Sequence, residues 1–315
     1  MGFEALLGND RLKDNLTKSL AQGRISHFYL ISGPVGSGKH TLARLLAAAI
    51  LCRDVHAPCL DCSICRRVLE GNHPDFITVD DPEHKNVSVK IVRQAREDIY
   101  IRPNESDHKI YLFPQDLGIE GQNALLKILE EPPAYGVFIL LTNNPEQLLP
   151  TVRSRCTELA LKGLPERILM DELSREFPDA SADSLAAAAA RSGGYLGQAR
   201  TLLAQGDALP PQTENFLTAF ANKNSLDLTK TMAAMEKWKR DQLSAMLESW
   251  VNLLVEALAC RSGMRALHPM TKALATQRSP QDLLQAITCL QKAILYAQSN
   301  VSPAAICGYL AWQLR

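Results

Sequence analysis

The chain has 315 residues, of which 46% are hydrophobic and 22% charged, proportions that are ordinary for a soluble globular protein of two or three domains. Its 34 basic and 34 acidic residues give a formal net charge of zero, so the balance does not indicate one large basic surface for non-specific nucleic-acid binding. Charges are spread through residues 1–16 and no apolar run reaches the length of a membrane span, so we expect a cytoplasmic protein without a signal peptide.

The first half of the chain alternates strand-like and helix-like segments. Five strands are predicted from apolar runs at 27–32, 76–79, 109–113, 137–142 and 156–161. Three helices are predicted from apolar spacing at 41–51, 89–99 and 123–131. Apolar strands that alternate with helices indicate an α/β domain whose parallel sheet is covered on both faces.

The composition changes after residue 163. Short helices are predicted up to residue 200, and the segment 206–211, rich in glycine and proline, is predicted to be a linker. Beyond it, apolar residues recur at helical spacing. We therefore predict a nucleotide-binding-like α/β domain at 1–163, a small helical domain at 164–207 and an all-α domain at 208–315.

A glycine loop, Gly-Pro-Val-Gly-Ser-Gly-Lys, lies between the first predicted strand and helix, which is the context of a phosphate-binding loop. In such a loop backbone N–H groups surround phosphate oxygens and the lysine reaches the terminal phosphates. His40 follows the lysine where a hydroxyl normally holds Mg²⁺, and Thr41 lies about 100° further around the helix. The loop is either a nucleotide site with little hydrolysis or a relic. Its candidate residues are Gly33, Gly36, Gly38, Lys39, His40 and Thr41.

The end of the third predicted strand also lacks a magnesium ligand. ATP-hydrolysing proteins with this loop need an acidic residue there. This chain has Pro114 and Gln115, and Asp116 is displaced along the chain. Two separate parts of a magnesium site are missing, so we expect a degenerate ATPase without bound magnesium.

Four cysteines follow the glycine loop between residues 52 and 65. In a reducing cytoplasm such a cluster favours a metal site over disulfides. An iron–sulfur run would place a further cysteine three residues downstream and before proline, whereas Arg66, Arg67 and Val68 follow here. We predict a structural zinc module at about 52–72, closing an irregular loop. Its ligands are Cys52, Cys59, Cys62 and Cys65.

Two further groups of polar residues follow the fourth predicted strand. Arg155 lies between the fourth and fifth strands, near an edge that a neighbouring subunit could reach. An arginine supplied in trans can stabilise charge on a transferring phosphoryl group, although the spacing alone favours a surface arginine. Asn143 and Asn144 end the fourth strand and are sensor-like candidates for orienting a water; a plain turn is the simpler interpretation.

Together these motifs resemble the AAA+ subunits of bacterial replicative clamp loaders. The resemblance rests on the glycine loop, the cysteine insert, Asn-Ala-Leu-Leu-Lys-Ile-Leu-Glu-Glu-Pro-Pro at 123–133 and Ser-Arg-Cys at 154–156, and it weakens toward the helical tail. Motor subunits of that family (gamma/tau) carry Ser or Thr after the loop lysine, an Asp-Glu pair after the third strand and a sensor arginine. This chain has His40, Pro114-Gln115 and no arginine in 192–197, so it is similar to the non-hydrolysing delta-prime type.

The resemblance implies a lid domain at 164–207 and a collar domain at 208–315, through which the subunit joins gamma/tau and delta subunits in a hetero-pentamer. It implies that Arg155 acts in trans on the ATP of an adjacent motor subunit, that the four cysteines bind zinc, and that the assembly loads the sliding clamp on primed DNA without a membrane partner. Whether ATP or ADP still occupies the glycine loop is left open. The alternatives are an ATP-hydrolysing gamma/tau-type motor and a zinc-dependent nucleic-acid-binding module.

Overall fold

The computed structural model divides the chain into two compact units, Met1–Ala204 and Gln205–Arg315. The residues that it describes are 2–84, 86–205, 209–262, 268–299 and 301–314. The predicted boundary at 163 falls inside the first unit, and the one at 207, with part of the predicted linker, lies outside the described residues. The three-domain division therefore stays a prediction.

A five-stranded parallel sheet forms the centre of the first unit. Its strands are β1 (Phe28–Ser32), β2 (Phe76–Thr78), β3 (Lys109–Phe113), β4 (Gly136–Thr142) and β5 (Thr157–Ala160). They pair in the order β2-β3-β4-β1-β5, with every neighbouring pair parallel. The strands β1, β3 and β4 are buried along their whole length because both of their faces are covered. The predicted parallel α/β sheet is confirmed.

Helices pack on both faces of this sheet, since successive strand residues point to opposite sides. One face, with Ile31 and Ile139, packs against α1 (Asp10–Ala21), α2 (Lys39–Leu51) and α3 (Ser63–Glu70). The other face, with Leu30 and Phe138, packs against α4 (Val89–Asp98), α5 (Ile119–Glu130) and α6 (Pro150–Arg153). A short 3₁₀ helix at Pro145–Gln147 lies between β4 and α6.

Two helices differ from the sequence prediction. The helix α5 begins at Ile119, four residues before the predicted start at 123, because Gly118 is extended and ends the preceding loop. The helix α3 lies inside the cysteine segment that was expected to be irregular. It forms because Cys62 caps it, its Sγ accepting a hydrogen bond from the backbone N–H of Cys65.

Three short helices complete the first unit. They are α7 (Glu166–Glu176), α8 (Ala182–Arg191) and α9 (Leu196–Gln205). Their apolar faces meet in a small core of Leu169, Leu173, Leu185, Ala189 and Ala199. This group of helices matters for the glycine loop because α9 begins next to that loop.

The second unit contains only helices within the described residues. These are α10 (Pro211–Ala221), α11 (Ser225–Ala233), α12 (Arg240–Arg261), α13 (Pro269–Gln277), α14 (Pro280–Gln298) and α15 (Pro303–Gln313). Trp250 of α12 is fully buried, stacks on Phe216 at 4.0 Å between ring centroids, and donates its indole N–H to Thr213 Oγ1 at 3.0 Å.

The segment Gln242–Arg261 of α12 is long and apolar enough to cross a membrane by length and composition alone. This corrects the expectation that no segment reaches that length. The other helices of the unit bury one side of this helix, with Leu243, Leu247, Trp250 and Leu254, whereas Val255 is exposed. Its apolar length reflects its position at the centre of a helical bundle.

We expect Trp250→Ala to lower the free energy of unfolding of the second unit by about 3–5 kcal/mol, because it removes a fully buried ring and leaves a cavity. Urea unfolding followed by circular dichroism measures the change. The matched control is Trp312→Ala, since Trp312 is 68% exposed and its loss should change stability by no more than about 0.5 kcal/mol. Equal effects of the two substitutions would contradict this account of the core.

Candidate nucleotide, metal and subunit-contact sites

The glycine loop joins β1 to α2 as a tight turn. The predicted nucleotide-binding residues all lie in this turn and in the first turn of α2: Gly33, Gly36, Gly38, Lys39, His40 and Thr41. Gly36 has a left-handed backbone with φ 78°, which glycine adopts without steric strain. The loop has the position between strand and helix that the sequence predicts, and its lysine and Gly36 make contacts that the sequence does not predict.

Lys39 is buried, and its ammonium group is bonded within the chain. Its Nζ donates to the carbonyl of Gly33 at 2.6 Å, the carbonyl of Pro34 at 2.9 Å and Oδ1 of Asn143 at 2.9 Å. An ammonium has three N–H donors, so a phosphate would have to displace these partners. Burial lowers the pKa of Lys39, while the charge of nearby Asp116 opposes that shift.

The two sensor-like asparagines have separate positions. Asn143 contacts the loop lysine, as described above, and so faces the glycine loop. Asn144 instead accepts a hydrogen bond from the N–H of Glu146 and caps the 3₁₀ helix. The turn interpretation therefore describes Asn144, whereas Asn143 belongs to the neighbourhood of the loop.

The first turn of α9 closes over the glycine loop. The carbonyl of Gly36 accepts a hydrogen bond from the backbone N–H of Gly197 at 3.0 Å. A Cβ atom at Gly197 would lie 2.6 Å from the Cα of Gly36, so no larger residue fits without moving one of the two backbones. The start of α9 thus bonds to the loop itself, and we call this arrangement the closed loop.

A cavity of about 360 Å³ lies beside the closed loop. Its lining combines apolar and polar side chains, among them Leu6, Leu7, Thr41, Arg175 and Tyr195. The cavity also borders Gly36, Ser37 and Gly38 of the glycine loop itself.

Positions 115 and 40, at which ATP-hydrolysing proteins with this loop have magnesium ligands, carry Gln and His here. Gln115 anchors the loop after β2: its Oε1 accepts from the N–H of Asp81 at 2.7 Å, and its Nε2 donates to the carbonyls of Asp81 and His84, both at 3.0 Å. His40 is exposed, and partial desolvation, reinforced by the charges of Lys39 and Arg44, lowers its pKa. Neither side chain supplies the hydroxyl or carboxylate that holds Mg²⁺ at these positions of ATP-hydrolysing proteins, and the absence of bound magnesium stays a prediction.

The four predicted metal ligands converge. The Sγ of Cys52 lies 3.7 Å from that of Cys59 and 4.0 Å from that of Cys62, and the Sγ atoms of Cys59 and Cys65 are 3.9 Å apart. In a tetrahedral site with Zn–S bonds of about 2.3 Å, sulfur atoms are about 3.8 Å apart. The donor set and its spacing therefore fit zinc.

Backbone N–H groups already point at two of these sulfur atoms. The N–H of Cys62 lies 3.4 Å from the Sγ of Cys59, and the N–H of Cys65 lies 3.4 Å from the Sγ of Cys62. Donors from Cys62 and Asp61 lower the pKa of Cys59 to about 7, whereas burial raises the pKa of Cys65. Cys59 thus favours the thiolate form that a metal requires, whereas burial also raises the pKa of Cys52.

Arg155 lies just before the edge strand β5 and is 39% exposed at its side chain. It donates from Nη1 to the carbonyl of Thr151 and from Nη2 to Oε1 of Glu130, both at 2.9 Å. Its neighbour Arg153 pairs instead with Glu146 and Glu158. The sequence does not predict the contact between Arg155 and Glu130, because 25 residues separate them and no local pattern indicates it.

Comparisons of the sequence with known proteins identify DNA polymerase III subunits as relatives. A family model described as "DNA polymerase III, delta subunit" matches residues 8–165. DNA polymerase III subunit gamma of Buchnera aphidicola subsp. Acyrthosiphon pisum is 30% identical over 274 residues, 81% of this chain and 75% of the relative. DNA polymerase III subunit tau of Bacillus subtilis is 32% identical over 177 residues, and the match covers 55% of this chain and 31% of that longer protein.

Among solved structures, a DNA polymerase III gamma subunit-related protein from Thermotoga maritima is 16% identical with a TM-score of 0.49. The match covers 96% of this chain and 99% of that one.

We expect Gln115→Glu to lower the free energy of unfolding of the first unit by about 1–3 kcal/mol, because a carboxylate cannot donate to the carbonyls of Asp81 and His84. Thermal unfolding near neutral pH measures the loss. The control is Gln147→Glu, which makes the same chemical change at an exposed side chain. If both variants unfold like the wild type, Gln115 does not anchor this loop.

Proposed function

Since this chain belongs to the family of DNA polymerase III clamp-loader subunits, we propose that it is a non-hydrolysing subunit of the delta-prime type. The observation that carries the proposal is the closed glycine loop. Lys39 is bonded to the loop and to Asn143, and α9 bonds to Gly36 through Gly197. Gln115, in the place of a magnesium ligand, is used to anchor another loop.

On this proposal the chain acts on ATP that another subunit holds. Arg155 reaches the γ-phosphate of ATP in an adjacent gamma/tau-type subunit and stabilises the charge that develops during transfer. Two of its five N–H donors are bonded within the chain, so the others can contact phosphate oxygens. A trans role needs an arginine near an edge, and Arg155 lies beside the edge strand β5.

The assembly that we propose is a cytoplasmic hetero-pentamer with gamma/tau and delta subunits. It opens the sliding clamp and loads it on primed DNA during replication. The helical second unit acts as the collar through which this subunit is held in the ring. Support for the collar is the family membership together with a helical bundle that has its own core around Trp250.

An ATP-hydrolysing motor of the gamma/tau type is the second candidate, because the curated relatives described above carry those names. That function would require α9 to leave Gly36 and Lys39 to release its three acceptors. Hydrolysis by the isolated, pure chain at a motor-like rate, abolished by Lys39→Ala, would establish the motor and overturn the delta-prime proposal.

We further propose that the four cysteines hold a structural zinc ion. The support is the convergence of four sulfur atoms at tetrahedral spacing between the end of α2 and the start of α3. A zinc ion would join these two helices at a point where the chain between them has little apolar core of its own.

We expect Arg155→Ala to lower the ATPase and clamp-loading rates of the reconstituted complex, by about a thousandfold at the one ATP site that it serves, since trans arginines contribute at least that much. Rates with and without clamp and primed DNA measure the effect. The matched control is Arg153→Ala, which removes a neighbouring arginine whose partners lie within the chain. Normal assembly with wild-type rates for Arg155→Ala would refute the trans role.

We expect the purified chain to contain one zinc ion, and Cys62→Ser to lose it, because three thiolates bind the ion less tightly than four. Elemental analysis combined with native mass spectrometry measures metal identity and stoichiometry. Cys156→Ser is the control, since Cys156 lies outside the cluster and bonds to the carbonyl of Val152. Iron, or a metal-free chain under reducing conditions, would count against zinc.

A further inference from the structure

The guanidinium of Arg155 is held from two sides by its own chain. The carbonyl of Thr151 and the carboxylate of Glu130 each lie 2.9 Å from one of its terminal nitrogens. Glu130 is 56% exposed at its side chain and Arg155 is 39% exposed. The pair therefore lies at the surface, where a neighbouring molecule can reach the remaining donors of the arginine.

The position of Glu130 is unfavourable unless it has a cationic partner. It is the last residue of α5, where the negative end of the helix dipole disfavours a carboxylate. Glu131 adds a second negative charge directly after it, and Pro132 and Pro133 prevent the helix from continuing. The cation that compensates Glu130 is Arg155, which follows α6. The two side chains therefore pair across the gap between α5 and α6.

We propose that Glu130 is a positioning residue that holds Arg155 ready for the ATP of the neighbouring subunit; this inference rests on the proposed function. An unrestrained arginine loses much side-chain freedom when it binds a phosphate, and a guanidinium already held in place loses less. An exposed ion pair is weak, so Glu130 orients the arginine but does not prevent it from binding a phosphate. The pair leaves Nε and one N–H on each terminal nitrogen for the phosphate.

The test is a double-mutant cycle in the reconstituted complex. We expect Glu130→Ala to lower the kcat for ATP by roughly twofold to fivefold, the range of an exposed ion pair. The KM for ATP should not change, because another subunit binds the nucleotide. In the Arg155→Ala background, Glu130→Ala should have no further effect.

Two variants separate positioning from a structural role. Glu130→Gln should recover most of the rate, since its amide oxygen can still accept a hydrogen bond from Arg155. Glu131→Ala removes the adjacent exposed carboxylate and should leave the rate unchanged. Thermal unfolding of all variants should match the wild type, because the pair is exposed.

Failure of this inference can be distinguished from failure of the proposed function. If Arg155→Ala has no effect on the complex, the proposed function fails. If Arg155→Ala lowers the rate but Glu130→Ala does not, or acts equally in both backgrounds, only the positioning role is overturned. A higher rate for Glu130→Ala would also overturn it, because Glu130 would then compete with the phosphate for the arginine.

Discussion

The backbone contact between Gly36 and Gly197 is the constraint on which the behaviour of the first unit depends. It ties the first turn of α9 to the glycine loop through a hydrogen bond of 3.0 Å, and it leaves no space for a side chain at either position. In nucleotide-binding proteins the N–H groups at such helix starts face phosphate oxygens. Here the N–H of Gly197, at the start of α9, donates to the loop carbonyl of Gly36, so the loop and α9 are held together within the chain.

The same sheet that carries the closed loop also presents the exposed arginine. The glycine loop follows the inner strand β1, whereas Arg155 precedes β5 at the edge of the sheet. Inner strands are surrounded by the chain itself, but an edge is accessible to another subunit. The glycine loop and Arg155 therefore lie at different positions of the sheet, one beside an inner strand and one beside an edge strand.

The sequence predicts the sheet well because β1, β3 and β4 are buried on both faces and therefore read as continuous apolar runs. It also predicts the convergence of the four cysteines, since they lie close in the chain. It misses the Gly36–Gly197 contact, the pairing of Arg155 with Glu130 and the anchoring bonds of Gln115. Each of these joins residues far apart in sequence, and folding alone brings them together; no local pattern records which partner a glycine or glutamate will meet.

The three hydrogen bonds of Gln115 bear on how this lineage can evolve. An acidic residue at 115 would lose the two hydrogen bonds that Gln115 donates to the loop at 81–84. A side chain at 197 would displace the backbone of Gly36 or of α9. Each change alone is expected to weaken the fold, so selection acts against it. The residues at 115 and 197 are in this sense entrenched: both are part of the architecture, and replacing them requires several coordinated substitutions at once.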